Sequence, residues 1–284
     1  MRKKVSLLLV LLIVLFVSFG CSKSKVFSSE NTSIASDASQ QDSDKSSEEA
    51  NQDQLQPDKN KEEGETPEDK QKEKNQKYII CIDPGHQTKG DMSEEPVGPG
   101  SSETKFKVSW GTQGVSTNIP EYELNLQASK ILKGYLEDME FKVIMTRETN
   151  DVNITNSERA IFANENNADL VIRIHADGSE DSSVTGASLH IPAHDGKYTS
   201  KIYEESNKCA QIMFSDMKKA GFKVNNIYER SDLTGFNWSE VPAVLVEMGF
   251  MSNPEEDQKM SQTSYQEKMM KSIAEATQYY FDRK

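Results

Sequence analysis

The chain has 284 residues and a formal charge of −13, with 46 acidic against 33 basic side chains. That balance argues against nucleic acid as a partner, because phosphate binding needs clustered Lys and Arg. The length allows one domain of ordinary size plus appendages.

The first residues do not read as part of a fold. MRKK is positive and VSLLLVLLIVLFV is apolar. That run is shorter than the ~20 residues of a membrane span, and it stops at Ser18-Phe19-Gly20-Cys21. Residues 1–21 are read as an export signal. Ser18-x-Gly20 satisfies the small-x-small rule of an ordinary signal peptidase. SFGC is also similar to the lipobox of bacterial lipoproteins, in which the cysteine is lipidated. Gly20 fits that pattern, and Ser18 stands where Leu is usual. The lipoprotein reading is preferred, with Cys21 lipidated and the domain held on the outer face of the cytoplasmic membrane. Simple secretion to the wall and an uncleaved anchor are the alternatives. Residues 22–77 are polar and acidic with almost no aromatic or branched side chain. They cannot bury enough apolar surface to offset chain entropy, so a disordered tether is expected.

Order is expected from Tyr78. YIICID is an apolar strand ending in the turn Asp83-Pro84-Gly85. The polar stretch Gln87 to Ile119 has no clear period and is too long for an ordinary connection, so it reads as a functional loop that could be a lid, a wall or a plug. Pro120 and Glu121 open a helix. FKVIMTR at 141–147 is a strand. Thr155-x-x-Glu158 is a capping box that starts a second helix, ending near Asn167. ADLVIRIH at 168–175 is another strand. GASLHIP at 186–192 alternates and closes on Pro192, which places it at a sheet edge. A helix over 201–219, a strand near 222–228, the strand PAVLVE at 242–247 and a helix near 264–281 complete the order. Alternating strands and helices predict an α/β fold with a mostly parallel twisted sheet of about six strands and helices on both faces.

Three of these strands share a pattern. Apolar runs lead into His86, His175 and Glu247. In open α/β sheets the crevice lies beyond the carboxyl ends of parallel strands, so the three side chains are expected to converge there. Two imidazoles with carboxylates suit zinc, and a catalytic zinc keeps three protein ligands. Glu121, in the first turn of a helix where the dipole favours its charge, is the candidate third ligand.

The segments DPGH (83–86), EYELNL (121–126), TR (146–147), ERA…AN (158–164), IHADG (174–178) and VEMGFMSNP (246–254) together resemble the zinc-dependent N-acetylmuramoyl-L-alanine amidases. The resemblance spans about Tyr78 to Phe281. It implies a catalytic domain at 78–284 that cleaves the amide between the muramic lactyl group and L-alanine in peptidoglycan during wall turnover. It also implies zinc held by His86, Glu121 and His175, with Glu247 as the catalytic carboxylate. Glu123 reads as an exposed helix residue. Two departures stand out: Asp177 replaces the usual Asn of IHAN, and Arg173 stands where a small residue is common. A zinc carboxypeptidase or other wall peptidase, and a non-catalytic wall-binding or regulatory lipoprotein, are the competing readings.

The remaining features read as structural. Cys81 and Cys209 are expected as two buried thiols, with a disulfide as the alternative. His190 and His194 have the spacing of an i, i+4 zinc pair, but Pro192 breaks the helix this needs. Arg147 and Arg159 are expected in ion pairs, and Asn253-Pro254 at a turn. Tyr228, Phe236 and Trp238 fit either a sugar groove or the core.

Overall fold

A computed structural model describes residues 66–284. The export signal, Cys21 and most of the tether lie outside the described residues. The structure begins earlier than Tyr78. Helix α1 (Pro67–Asn75) has a Thr66 capping box and a proline in its first turn. No apolar stripe marks it in the sequence. Polar contacts hold it instead: Lys74 Nζ donates to Phe281 O at 2.9 Å, and Asn75 Nδ2 donates to Met139 O at 2.8 Å.

The chain continues through strand β1 (Ile79–Pro84), hairpin strands β2 (Asp91–Pro96) and β3 (Thr104–Val108), helix α2 (Glu121–Asp138) and strand β4 (Lys142–Met145). Helix α3 (Asn156–Glu165), strand β5 (Leu170–Asp177), strand β6 (Ala187–Pro192), helix α4 (Ser200–Lys219) and strand β7 (Val224–Arg230) follow. The short helix α5 (Thr234–Asn237), strand β8 (Ala243–Phe250), helix α6 (Pro254–Met260) and helix α7 (Thr263–Asp282) complete it. The main sheet runs β4-β1-β5-β8-β6-β7. Every neighbouring pair is parallel except β6 with β8.

The expected edge position of 186–192 is therefore wrong. β6 lies between β8 and β7, and β7 is the edge. Pro192 sits at the last register position, opposite Arg230, so it ends the strand without interrupting it. Asn253 does more than turn the chain. Its side chain accepts from Glu255 N and Glu256 N and caps α6. The long polar stretch contains the β2–β3 hairpin, which an irregular register and exposed side chains hide in the sequence.

Strand periodicity divides the core. Ile80, Ile82, Ile172, Ile174, Val244 and Val246 point to one face, where α2, α4 and α7 supply Leu132, Met213, Ile273 and Phe281. Cys81, Val171, Ala243 and Leu245 point to the other, under α3 and α5 with Ala163 and Phe236. Burying each of these larger apolar side chains contributes about 1.5–3 kcal/mol. The second face matters for function. Continuing its alternation toward the strand ends gives Asp83 on β1, Arg173 and His175 on β5, and Glu247 on β8, because successive side chains alternate. Register sets them side by side: Asp83 opposite Arg173, and His175 opposite Glu247. Cys81 and Cys209 are both free and buried, and burial pushes their thiols well above the usual range.

Candidate functional site

The turn after β1 is built for close approach. His86 adopts a left-handed φ of 61°, uncommon for any residue but glycine, with Asn, Asp and His the side chains that enter it most readily. A Cβ on Gly85 would stand 2.1 Å from the His175 ring, so only glycine lets the two histidines meet. Their rings cross edge to face with centroids 4.8 Å apart. Arg147, just past the end of β4, braces the turn, donating to Pro84 O and Gly85 O at 2.9 Å each and to Tyr122 O at 2.8 Å. The expected ion pair of Arg147 is not found among the described residues, and its guanidinium donates to carbonyl oxygens instead. Arg159 does pair, with Asp83 at 2.7 Å.

Glu121 enters from the first residue of α2. Its Oε1 lies 3.2 Å from His86 Nε2 and 3.2 Å from His175 Nδ1, and accepts from Asn125 Nδ2 at 3.1 Å and Ala176 N at 3.2 Å. Its Oε2 accepts from Thr112 N at 2.9 Å. Neighbouring Gly111 has φ 82°, and a Cβ there would stand 2.5 Å from Glu121 Oε2. The Gln87–Ile119 stretch is thus a wall of the site. Ser109 O lies 2.9 Å from His86 Nδ1 and orients that ring with Nε2 toward Glu121. The wall is pinned at several points. Glu95 accepts from Ser157 at the start of α3, Trp238 Nε1 donates to Pro96 O at 2.9 Å, and Asp257 of α6 accepts from Ser116 N and Thr117 N.

The ligand atoms of His86, Glu121 and His175 all lie within 4.8 Å of one another, and among the described residues they form a site that could hold a metal ion. Burial works against charging Glu121. Hydrogen bonds with His175 and His86 override it and hold the carboxyl well below its usual range. Burial pushes His175 down to about 4, so its ring is neutral at ordinary pH, the form that binds metals. His175 Nε2 is buried without a partner. Two imidazoles and an ionised carboxylate that meet at one buried point, with a ring nitrogen left unpartnered, are a donor set that fits a divalent ion.

Glu247 ends the apolar run of β8 beside His175. Its Oε2 is buried and has no hydrogen-bond partner. Burial, then the charges of Glu121 and Asp177, push its carboxyl well above the ordinary 4.5, against the pull of Arg173 and Arg230. A carboxyl so placed is poised to exchange a proton rather than to hold a fixed charge. It lines a cavity of about 230 Å³ together with His86, His175, Arg173, His190 and Arg230.

Residues 80–279 match the protein family described as N-acetylmuramoyl-L-alanine amidase. The chain belongs to that amidase family. An N-acetylmuramoyl-L-alanine amidase of Mycobacterium tuberculosis is 27% identical over 202 residues, covering 67% of this chain and 80% of that protein. The amidase AmiA of Escherichia coli is 24% identical over 249 residues, covering 75% of this chain and 79% of its own. Among solved structures, the apo amidase Ami1 of Mycobacterium abscessus superposes with a TM-score of 0.65 at 25% identity, over 72% of this chain and 98% of that one.

Several residues of this amidase's crevice carry no signal in the sequence. Ser109, Gly111 and Thr112 reach the site through loop geometry, and Asn125 reaches it from one turn further along α2. His190 lines the cavity, with Ser188 Oγ 3.2 Å from its Nε2 and Arg230 Nη1 3.2 Å from its Nδ1. Burial, then Arg230, pushes its pKa down to about 4. His194 lies on the exposed turn beside Asp195, away from this cavity's lining. Glu123 is half-buried and outside the ligand group. Of the three aromatics, Phe236 is core, Tyr228 is exposed beside His190, and Trp238 ties down the hairpin.

Proposed function

We propose that the chain is a zinc-dependent N-acetylmuramoyl-L-alanine amidase that cleaves the amide between the lactyl group of N-acetylmuramic acid and L-alanine in peptidoglycan, for cell-wall turnover. The observation that carries this reading is the gathering of His86, Glu121 and His175 within 4.8 Å, beside a carboxyl with a buried, unpartnered oxygen. His86, Glu121 and His175 would hold the zinc, which supplies a Lewis acid for the amide carbonyl and lowers the pKa of water. Glu247 takes a proton from the attacking water. It returns that proton to the alanine nitrogen as the carbon–nitrogen bond breaks, so the amine leaves neutral. Asn125, Ala176 N and Thr112 N orient the Glu121 carboxylate, and Ser109 O orients His86.

The full chain incubated with purified murein is expected to free stem peptides that begin with L-alanine and to leave the glycan intact. Chelation should stop release, and added zinc should restore it. New amino ends within the stem would favour a wall peptidase. Binding without release, with zinc present, would favour a non-catalytic wall protein.

We also place the enzyme on the outer face of the membrane, anchored by a lipid on Cys21. Among the described residues no helix is long and apolar enough to cross a membrane. Cys21→Ser should shift the protein from the membrane fraction to the medium; a variant that stays with the membrane refutes the lipid anchor.

A further inference from the structure

The active-site cavity holds a guanidinium that ion binding does not use. Arg173 is 6% exposed and lines the cavity with Glu247 and His175. Its Nε donates to Asp83 Oδ2 at 2.8 Å. Its two terminal nitrogens have no acceptor among the described residues. Gly235 closes one side of the group, where a Cβ would stand 2.4 Å from Nη1. The arrangement also leaves charge over. Asp83 serves Arg159 at 2.7 Å as well as Arg173, so two buried guanidiniums share one carboxylate. Glu247 stands in the same cavity without pairing to Arg173. A buried cation that lacks a full counter-charge is costly unless something fills the vacancy. On the rim, Asp232 grips Arg230 through Nε at 2.7 Å and Nη2 at 2.9 Å and presents it to the same cavity.

We propose that Arg173, with Arg230 at the rim, is the subsite for a carboxylate on the peptide side of the scissile amide, that of the amino acid following L-alanine. This rests on the amidase reading above. Two residues of extended chain span at most ~7 Å, so such a carboxylate stays within a pocket of this size once the amide reaches Glu247. A planar guanidinium with both ends free matches a carboxylate through paired hydrogen bonds, a geometry lysine cannot copy. Arg173 is then a specificity residue, and its replacement of a small side chain marks a preference for the free acid.

The test uses the full chain, zinc-loaded, on two muramoyl dipeptides that differ only at the second residue, as free α-carboxylate or as carboxamide. The wild type is expected to favour the acid by roughly ten- to a hundredfold in kcat/KM, carried by KM, as loss of one charge-assisted hydrogen bond implies. Arg173→Met should bring the acid-to-amide ratio to about one, and Arg173→Lys should restore part of it. In Arg173→Met, Asp83 keeps Arg159 and Thr146, and a thermal melt and ion content report whether the fold is kept. Equal wild-type rates on the two substrates would overturn the subsite, as would an equal loss on both in Arg173→Met. Release of no L-alanine-terminated peptide from either substrate by the wild type would instead remove the amidase reading beneath it.

Discussion

Glu247→Gln is expected to lower kcat on murein by about 10²–10⁴-fold while leaving bound zinc undiminished. The size follows from losing a positioned acid–base group. The zinc expectation follows from placement, because the group that could hold a metal ion consists of His86, Glu121 and His175 without Glu247. Glutamine keeps the shape and cannot exchange the proton. Stability should hold or rise slightly, because the change removes a buried ionisable group whose charge is opposed by burial and by Glu121. KM should move little if the group acts only as the amide reacts. Turnover within a factor of a few of the wild type would dismiss Glu247 from the chemistry. A fall in zinc content would recast it as part of the metal site.

How much of this was legible in the sequence depends on the range of the contacts involved. His86, His175 and Glu247 could be read together because each ends an apolar run, and parallel strands share one carboxyl end. Glu121 could be read from a proline-opened helix start. What could not be read was pairing over distance. Asp83 meets Arg159 and Arg173 across 76 and 90 residues, and nothing local announces either contact. β6 reads as an edge strand because its alternation and closing proline are edge-like; pairing with β8 on one side and β7 on the other makes it internal. The hairpin stayed hidden because its exposed residues carry no apolar period, and α1 because polar contacts hold it.

Those long-range contacts explain how a flexible-looking loop can hold a rigid ligand set. Ser109 and Gly111 control His86 and Glu121, yet they sit in a stretch that looks structureless in the sequence. The control works because α6, capped by Asn253, presents Asp257 to Ser116 and Thr117, and because Val115 N donates to Met251 O at 3.1 Å. The VEMGFMSNP segment therefore has two tasks. Its first half presents Glu247, and its second half anchors the wall beside His86 and Glu121. Substitutions at Asn253 or Asp257 act on the site through that wall.

Asp83→Asn is expected to cost about 3–5 kcal/mol of stability, the scale of breaking a buried ion pair from one side. In this domain that lowers Tm by roughly 6–20 °C. The carboxylate is 1% exposed and receives Arg159 at 2.7 Å, Arg173 at 2.8 Å and Thr146 Oγ1 at 2.6 Å. Removing its charge leaves two buried guanidiniums facing each other across a neutral amide. The pH dependence gives a second check. Burial opposes ionising Asp83, but Arg159 and Arg173 override it and hold the carboxyl far below its ordinary 3.8. A depressed folded-state pKa adds stability that is fully present above the unfolded value, about 4, and is lost as pH falls toward the folded one. The gap in Tm between wild type and Asp83→Asn should therefore be widest near neutral pH and should narrow as the solution is acidified below about 4. The turn that carries His86 starts one residue beyond this cluster, so zinc affinity should fall with stability in the variant. Matching melts at neutral pH would mean that the two arginines find other partners, and that the turn holding His86 does not depend on Asp83.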